Sequence, residues 1–169
     1  TPDDNMFTRG IKLGVVNTIR STPEILDPKI NSLSKLNCIL ACIESSNLDV
    51  DEGLMLDING NVSTCNSTNF FIIKNQEVIT STGNYCLNGV TREKIIEICR
   101  DNNISIKQKD FNLEDVYSAD ESFVTGTFAG VIPVTKIDDT ILNSGEIGRL
   151  TKTLHSKYHS LIDALYPEK

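Results

Sequence analysis

Two short glycine-containing segments of this sequence have the residue types that bind phosphate groups. In the first, Leu87-Asn88-Gly89-Val90-Thr91, a glycine turn leads into a predicted helix. Backbone N–H groups without intrahelical acceptors and the positive end of the helix dipole converge at such a helix start, and the Thr91 hydroxyl lies beside them. Taken alone, the segment is more typical of a helix that Thr91 caps, because capping threonines are common.

The second segment, Thr125-Gly126-Thr127, follows a predicted strand. Glycine lets the backbone approach a ligand closely, and Thr127 offers both a hydroxyl and an N–H group. Taken alone, this segment is typical of an ordinary turn between two strands. Two donor loops that face one phosphate are a common way to bind a phosphorylated cofactor, so the pair is a stronger signal than either segment.

Other groups of reactive residues give weaker signals. His155 and His159 are four residues apart on a predicted helix, but no glutamate follows His155 and no third ligand is evident. We therefore expect a solvated helix face and no metal site. The acidic pair Asp120-Glu121 precedes a strand, where carboxylates are usually solvated. Cys38 and Cys42 have helical spacing inside an apolar pattern, and we expect them to be small core residues.

The length and composition of the chain exclude several classes of protein. A chain of 169 residues can bury a core without a disulfide or metal, so we expect one domain over residues 1–169. The 16 Lys and Arg residues against 23 Asp and Glu give a net charge of −7, which argues against a nucleic-acid binder. The odd number of cysteines, five, and the lack of a regular cysteine framework favour reduced thiols and a cytoplasmic location. No apolar run approaches the roughly 20 residues of a membrane span.

Short β-rich runs alternate with helical patterns along the chain, which predicts an α/β (mixed α+β) domain. The apolar residues between Leu33 and Ile43 recur at helical spacing and predict a helix over 34–46. A second helix follows Gly89, a helical turn spans 113–117, and a last helix begins near Gly148. The predicted strands are 53–57, 70–73, 78–80, 104–106, 122–125 and 131–134, with a hairpin signal at Asn59-Gly60.

Eight strings of residues, taken in order, resemble the C-terminal domain of class IV aminotransferases. These pyridoxal-phosphate enzymes of fold type IV include branched-chain and D-amino-acid aminotransferases and aminodeoxychorismate lyase. The strings are GIKL at 10–13, SLSKLN at 32–37, DEGLMLD at 51–57, NFF at 69–71, LNGVTRE at 87–93, ADESFVTGT at 119–127, PV at 133–134 and GRLTK at 148–152. Each string is weak alone, whereas the ordered set is specific.

The resemblance implies a barrel-like domain that binds pyridoxal 5'-phosphate. In the family, residues matching Val90 and Thr91 hold the cofactor phosphate, the residue matching Thr127 completes the phosphate site, and the residue matching Leu87 packs on the pyridine ring. The residues at all four positions are suitable for these roles. The resemblance therefore favours phosphate binding over helix capping for the first segment, and phosphate binding over an ordinary turn for the second. Replacement of Gly89 should then do most harm near the phosphate if its φ angle is positive.

Two cofactor positions depart from the family. Asn31 stands where the resemblance places the lysine that forms the Schiff base, and an amide nitrogen cannot attack an aldehyde because it is delocalised into its carbonyl. Lys29 and Lys35 flank this position, and we expect neither to replace the lost amine. Thr64 stands where a glutamate pairs with the pyridine nitrogen, so a hydroxyl replaces a negative charge there.

The resemblance also implies how the substrate and other subunits would bind. Phe128, followed by Ala129, stands where many relatives have a small residue whose backbone meets the substrate carboxylate. Its ring should therefore narrow or redirect the substrate pocket. The family has a smaller N-terminal domain that this chain does not contain, so the chain is either a piece of a two-domain protein or one that evolved without that domain. We expect a homodimer in the full-length context.

Three functions remain open at this point. The first is amino group transfer between an amino acid, such as a branched-chain one, and a 2-oxo acid. The second is a catalytically silent module that binds the cofactor or a partner domain, and the third is a lyase of the aminodeoxychorismate kind.

Overall fold

The computed structural model describes residues 5–167 as one curled sheet with helices packed against it. The strands are β1 (Ile11–Val15), β2 (Glu52–Leu56), β3 (Val62–Cys65), β4 (Asn69–Lys74), β5 (Glu77–Thr80), β6 (Ile106–Gln108), β7 (Glu121–Gly126), β8 (Gly130–Ile137) and β9 (Thr140–Ile141). The helices are α1 (Asn5–Arg9), α2 (Pro23–Leu26), α3 (Leu36–Asn47), α4 (Val90–Asp101), α5 (Leu113–Tyr117) and α6 (Arg149–Leu165). None of these helices is long and apolar enough to cross a membrane.

The sheet has the order β3-β2-β1-β8-β7-β4-β5-β6, with β9 paired to β8. Strands β1 and β2, β1 and β8, and β5 and β6 run parallel, and the other pairs are antiparallel. Although β3 and β4 are five places apart in this order, the chain joins them directly through residues 66–68, and Cys65 N donates to Thr68 O at 2.9 Å. Ser81 Oγ, just after β5, donates to Ser63 O at 2.8 Å. The sheet therefore curls into a half-barrel, which confirms the predicted mixed, barrel-like fold.

Both faces of β4 are buried, which explains its unbroken apolar run. Phe70 and Ile72 pack into a core cluster together with Ile11, Leu54 and residues of β8. Phe71 and Ile73 point the other way and pack under α4 and α6. Strands whose two faces are both covered lose the usual alternation of apolar and polar residues. The same arrangement fixes the start of α4 and of α6 relative to the sheet.

Helix α3 differs from the expectation in what its apolar residues do. It begins at Leu36, two residues later than predicted, and its buried residues are Ala41 and Ser45. The remaining large apolar side chains of its periodic pattern are exposed: Leu36, Ile39, Leu40 and Ile43. The prediction that Cys38 and Cys42 are core residues is wrong, because Cys38 is half-buried and Cys42 is exposed.

The other predicted elements are present, and several of them have shifted ends. The hairpin at Asn59-Gly60 joins β2 to β3, and α5 has the predicted bounds. Strand β6 begins at Ile106, where 104–106 was expected, because pairing with β5 rather than local alternation sets its register.

Candidate functional site

The first turn of α4 has no side-chain cap. Its N-cap residue, Gly89, has no side chain that could accept a hydrogen bond, and within residues 5–167 no side chain is found to accept one from the N–H groups of residues 90–92. The expectation that Thr91 caps the helix is wrong: Thr91 lies inside α4, is 3% exposed, and has its hydroxyl 3.4 Å from Tyr158 Oη. A helix start without a cap leaves backbone donors that can bind an anion.

Gly89 is required for space rather than for backbone freedom. Its φ angle is −66°, so the condition of a positive φ is not met. A Cβ atom at this position would lie 2.4 Å from Asn69 Oδ1, which is too close for any real contact. The glycine thus lets the turn before α4 lie directly against the start of β4.

Asn69 joins the two glycine segments. Its side-chain Nδ2 donates to Leu87 O at 2.8 Å, and its backbone is the register partner of Thr125 in the adjacent strand β7. Tyr158 makes a second link, since it contacts Thr91 and lies 2.8 Å from where a Cβ of Gly130 would be. The start of α4 and the β7–β8 hairpin therefore lie on the same side of the molecule.

A buried cation adds positive charge to this region. The guanidinium of Arg92 donates to Ser81 O at 2.7 Å, to Gln108 Oε1 at 3.0 Å and to Asn88 Oδ1 at 3.2 Å. No carboxylate pairs with it among residues 5–167, and burial lowers its pKa. A buried cation held only by neutral oxygens raises the local potential, which favours a bound anion at the start of α4.

A cavity of about 360 Å³ adjoins the start of α4. The residues that line it are Arg20, Lys35, Cys38, Ile39, Cys42, Thr64, Cys65, Asn66, Ser67, Thr68, Asn69 and Leu87. Thr64 and Leu87, which sequence reasoning assigned to a cofactor ring, thus share one cavity. Thr64 Oγ1 donates its hydrogen to Thr68 O at 2.7 Å, so the oxygen is left free to accept a hydrogen bond.

Asn31 is not among the described residues that line this cavity. It is exposed in the turn before α3, and its Oδ1 accepts a hydrogen bond from Lys35 Nζ at 3.1 Å. Lys29 and Lys35 are both exposed, but Lys35 lines the cavity and Lys29 does not. Sequence reasoning did not place Lys35 or Arg20 in the site, because nothing in their local pattern indicates which cavity they face.

Comparison with known proteins identifies the family. The sequence profile of the family described as "Amino-transferase class IV" matches residues 1–137. The chain belongs to the class IV aminotransferases.

Named relatives agree with this assignment. The chain is 40% identical to Branched-chain-amino-acid aminotransferase-like protein 2 of Arabidopsis thaliana over 91% of its length and 28% of that protein's. It is 35% identical to a putative branched-chain-amino-acid aminotransferase of Methanocaldococcus jannaschii, over 90% of this chain and 53% of that one. The chain thus spans about half or less of the length of these relatives.

Solved structures of the family have the same fold. A T.th. branched-chain amino acid aminotransferase with pyridoxamine 5'-phosphate is similar at a TM-score of 0.92 and 26% identity, over 99% of this chain and 55% of that one. The half-barrel fold of this class IV aminotransferase chain is therefore that of its family.

The β7–β8 hairpin of this class IV aminotransferase chain presents the remaining predicted site residues. Thr127 and Phe128 are exposed at its tip, and the Phe128 side chain is 96% exposed. Ala129 is half-buried and packs against the core. Val90, at the start of α4, is 64% exposed. The side chains expected to touch the cofactor phosphate and the substrate thus stand at an accessible surface, except for the buried Thr91.

Two of the weaker sequence signals have structural roles. Glu121 is not simply solvated: its carboxylate accepts from Leu150 N at 3.1 Å, Thr151 N at 2.8 Å and Thr151 Oγ1 at 2.7 Å. It thereby caps α6. Likewise His155 is not on a solvated face, since its Nδ1 lies 2.9 Å from Val131 O and its ring packs on Phe7.

The described residues contain no group of three or more His, Cys, Asp or Glu residues placed to hold a metal ion. Asp120, the other member of the acidic pair, accepts from Asn75 N at 2.7 Å and so holds a turn.

Proposed function

We propose that this chain is the C-terminal, cofactor-binding domain of a pyridoxal 5'-phosphate-dependent class IV aminotransferase. The complete protein would transfer an amino group between a branched-chain amino acid and a 2-oxo acid. The proposal is supported by the names of the relatives and by the pyridoxamine 5'-phosphate in the similar structure. We further propose a homodimer in the cytoplasm, in keeping with five free cysteines.

The observation that carries the proposal is the uncapped start of α4 beside the β7–β8 hairpin. The residues present fit a phosphate: Val90 and Thr91 offer backbone N–H groups, the hydroxyls of Thr91 and Thr127 add donors, and Arg92 adds positive charge. The space that a Cβ of Gly89 would fill is taken by Asn69, which holds the two donor segments together. A phosphate bound there would have charge-assisted hydrogen bonds, the strong kind.

Leu87 and Thr64 would hold the ring in the adjoining cavity. Leu87 would pack on the ring face, and the free lone pair of Thr64 Oγ1 would accept a hydrogen bond from a protonated ring nitrogen. When bound, the pyridoxal group supplies an electron sink for the substrate carbon. A neutral hydroxyl holds the ring nitrogen protonated less strongly than a carboxylate, so we expect slower chemistry than with a glutamate at position 64.

Phe128 would set the size of the substrate pocket. Its ring stands free at the hairpin tip, next to the proposed phosphate-binding Thr127, where it would narrow the space for a substrate side chain. Ala129 would present its backbone toward the substrate carboxylate.

Equilibrium binding tests the cofactor part of this proposal. Pyridoxamine 5'-phosphate has no aldehyde, so it reports the phosphate and ring contacts without a covalent bond. We expect saturable binding to the natural chain, much weaker binding of pyridoxamine without the phosphate, and competition by inorganic phosphate. No binding of pyridoxamine 5'-phosphate, or equal binding of the two compounds, would refute the proposed site.

A catalytically silent cofactor-binding module is the second candidate, and one observation favours it. Asn31 carries no amine and lies outside the cavity among the described residues. An assay of amino transfer from leucine to 2-oxoglutarate, run with the natural protein and with Asn31→Lys, separates the candidates. Transfer by the natural protein excludes silence, whereas transfer by Asn31→Lys alone assigns the silence to that residue. In a separate assay with aminodeoxychorismate, release of pyruvate without amino transfer would instead indicate a lyase.

A further inference from the structure

We infer that Lys35 has taken over the amine function that Asn31 lacks, and that it binds the aldehyde carbon of pyridoxal 5'-phosphate. The inference rests on the proposed cofactor site. It replaces the expectation, drawn from the sequence, that neither flanking lysine substitutes for the lost one.

Lys35 lies at the cavity proposed for the cofactor ring. It lines the space that also contains Thr64 and Leu87, the residues proposed to hold the ring. Among the described residues that line this cavity, Lys35 carries the one primary amine. Arg20 lies there too, but a guanidinium stays protonated in proteins and does not form a stable bond to an aldehyde.

The Lys35 amine contacts the side chain of Asn31, the residue that stands at the position of the family lysine. Its Nζ is 3.1 Å from Asn31 Oδ1, so the tip of one side chain meets the tip of the other. Lys35 is the N-cap residue of α3, so its backbone is held at the start of that helix, four residues after Asn31. The Lys35 carbonyl accepts from Ile39 N at 2.9 Å, which fixes the base of the side chain on the helix.

Asn31 then has a positioning role. Its amide oxygen accepts the hydrogen bond from Lys35 Nζ and so holds a long, flexible side chain at one place. An amide also adds no charge, whereas a carboxylate at position 31 would pair with the amine as an ion. The amine is thus four residues further along the chain instead of being lost.

The reaction of the Lys35 amine with the aldehyde balances without any further reactant. The unprotonated Nζ attacks the aldehyde carbon, the two nitrogen hydrogens pass to the aldehyde oxygen, and that oxygen leaves as water. A carbon–nitrogen double bond replaces the carbon–oxygen double bond, and nothing is oxidised or reduced. The natural chain thus keeps an amine that can later accept or return a substrate proton.

Reductive trapping tests the inference directly. The natural protein is mixed with less than one equivalent of pyridoxal 5'-phosphate, reduced with borohydride, digested, and analysed by mass spectrometry for the lysine that carries the pyridoxyl group. We expect the adduct on Lys35, its loss when excess pyridoxamine 5'-phosphate competes, and its loss in Lys35→Arg. Lys29→Arg is the matched control from the same turn and should retain the Lys35 adduct.

The positioning role of Asn31 is tested by the rate at which the Lys35 adduct forms. In Asn31→Ala the Lys35 adduct should form more slowly, whereas Asn31→Gln, which keeps an amide, should restore part of the rate. If both variants trap the adduct as fast as the natural protein, Asn31 does not position the amine.

The results distinguish failure of this inference from failure of the proposed site. If pyridoxamine 5'-phosphate binds but the pyridoxyl group appears on another lysine, or is scattered over the surface, the site stands and the inference on Lys35 is wrong. If pyridoxamine 5'-phosphate does not bind at all, both are wrong.

Discussion

The Thr91 hydroxyl is the buried side-chain donor that we assign to the cofactor phosphate. Valine has the same shape without the hydroxyl, so Thr91→Val should fold with almost unchanged thermal stability. A hydrogen bond to a charged group contributes about 1.5–3 kcal/mol, so the affinity for pyridoxamine 5'-phosphate should fall roughly tenfold to a hundredfold. Titration calorimetry measures both the affinity and the stoichiometry.

Tyr158→Phe is the control for this substitution. It removes the other hydroxyl of the pair at 3.4 Å and leaves the Thr91 donor in place, so the affinity should stay near that of the natural chain. An unchanged affinity in Thr91→Val, or an equal loss in both variants, would contradict the assignment.

The five cysteines should divide into two reactivity classes. Burial raises the pKa of Cys65 well above its usual value and that of Cys99 to about 12, so neither forms the reactive thiolate near neutral pH. Cys86 is also buried, whereas Cys38 is half-buried and Cys42 is exposed. We expect two thiols to react quickly with a chromogenic disulfide reagent at pH 7.5, and all five after denaturation.

The cofactor should slow those two thiols, because Cys38 and Cys42 line the cavity proposed for its ring. Cys42→Ser should remove one of the two fast reaction phases, which assigns that phase to Cys42. A third thiol that reacts as quickly as the first two, or equal rates with and without pyridoxamine 5'-phosphate, would contradict the proposed ring position.

The carboxylate of Glu121 fixes the start of α6, and α6 in turn carries Tyr158 against the start of α4. Glu121→Gln removes the charge-assisted bonds to the Leu150 and Thr151 N–H groups. We expect the free energy of unfolding to fall by about 1–3 kcal/mol, measured by urea denaturation. Glu146→Gln makes the same change of charge at an exposed residue, and its stability should be within about 0.5 kcal/mol of the natural chain. Equal effects of the two substitutions would refute the capping role.

The turn before α4 should not tolerate a side chain at Gly89. In Gly89→Ala the new Cβ displaces Asn69 Oδ1, so we expect a loss of about 1–3 kcal/mol of stability together with weaker binding of pyridoxamine 5'-phosphate. Gly60→Ala is the control: its φ of +82° makes alanine strained, but no atom lies within 4 Å of the added Cβ. That variant should lose stability and keep its affinity, and a Gly89→Ala protein with unchanged affinity would contradict the close approach.

The elements were largely predictable from the sequence, whereas the contacts between them were not. Apolar runs and turn residues located β4, the Asn59-Gly60 hairpin and α5, because these signals are local. Helical periodicity located α3 but wrongly implied buried cysteines, since periodicity does not say which face another element covers. The cap of α6 by Glu121 and the clash at Gly89 depend on residues distant in sequence. The sequence suggested that the two phosphate segments act as a pair, but their roles in a cofactor site came only from the family resemblance.

Helix α3 exposes an apolar face that the described part of the molecule does not cover. Leu36 is 68% exposed and Ile43 is 54% exposed, with Ile39 and Leu40 between them on the same helix. Contiguous apolar surface of this kind marks interaction sites in soluble proteins. We predict that this face contributes to the homodimer.

Sedimentation velocity over a range of concentrations measures the association state of the chain and so tests that prediction. The natural chain should associate as its concentration rises, and the pair of changes Leu36→Glu and Ile43→Glu should keep it monomeric. Ile58→Glu, at an exposed position in the β2–β3 turn, is the control and should associate like the natural chain. A natural chain that stays monomeric throughout, or a control that also fails to associate, would exclude the α3 face as the contact.

The most direct test of the phosphate site is a crystal structure of this chain with pyridoxal 5'-phosphate. We predict that the phosphate accepts hydrogen bonds from the N–H groups of Val90 and Thr91 and from the Thr127 hydroxyl, with the ring between Leu87 and Thr64. A cofactor phosphate bound anywhere else on the molecule, with the start of α4 occupied only by solvent, would contradict this account.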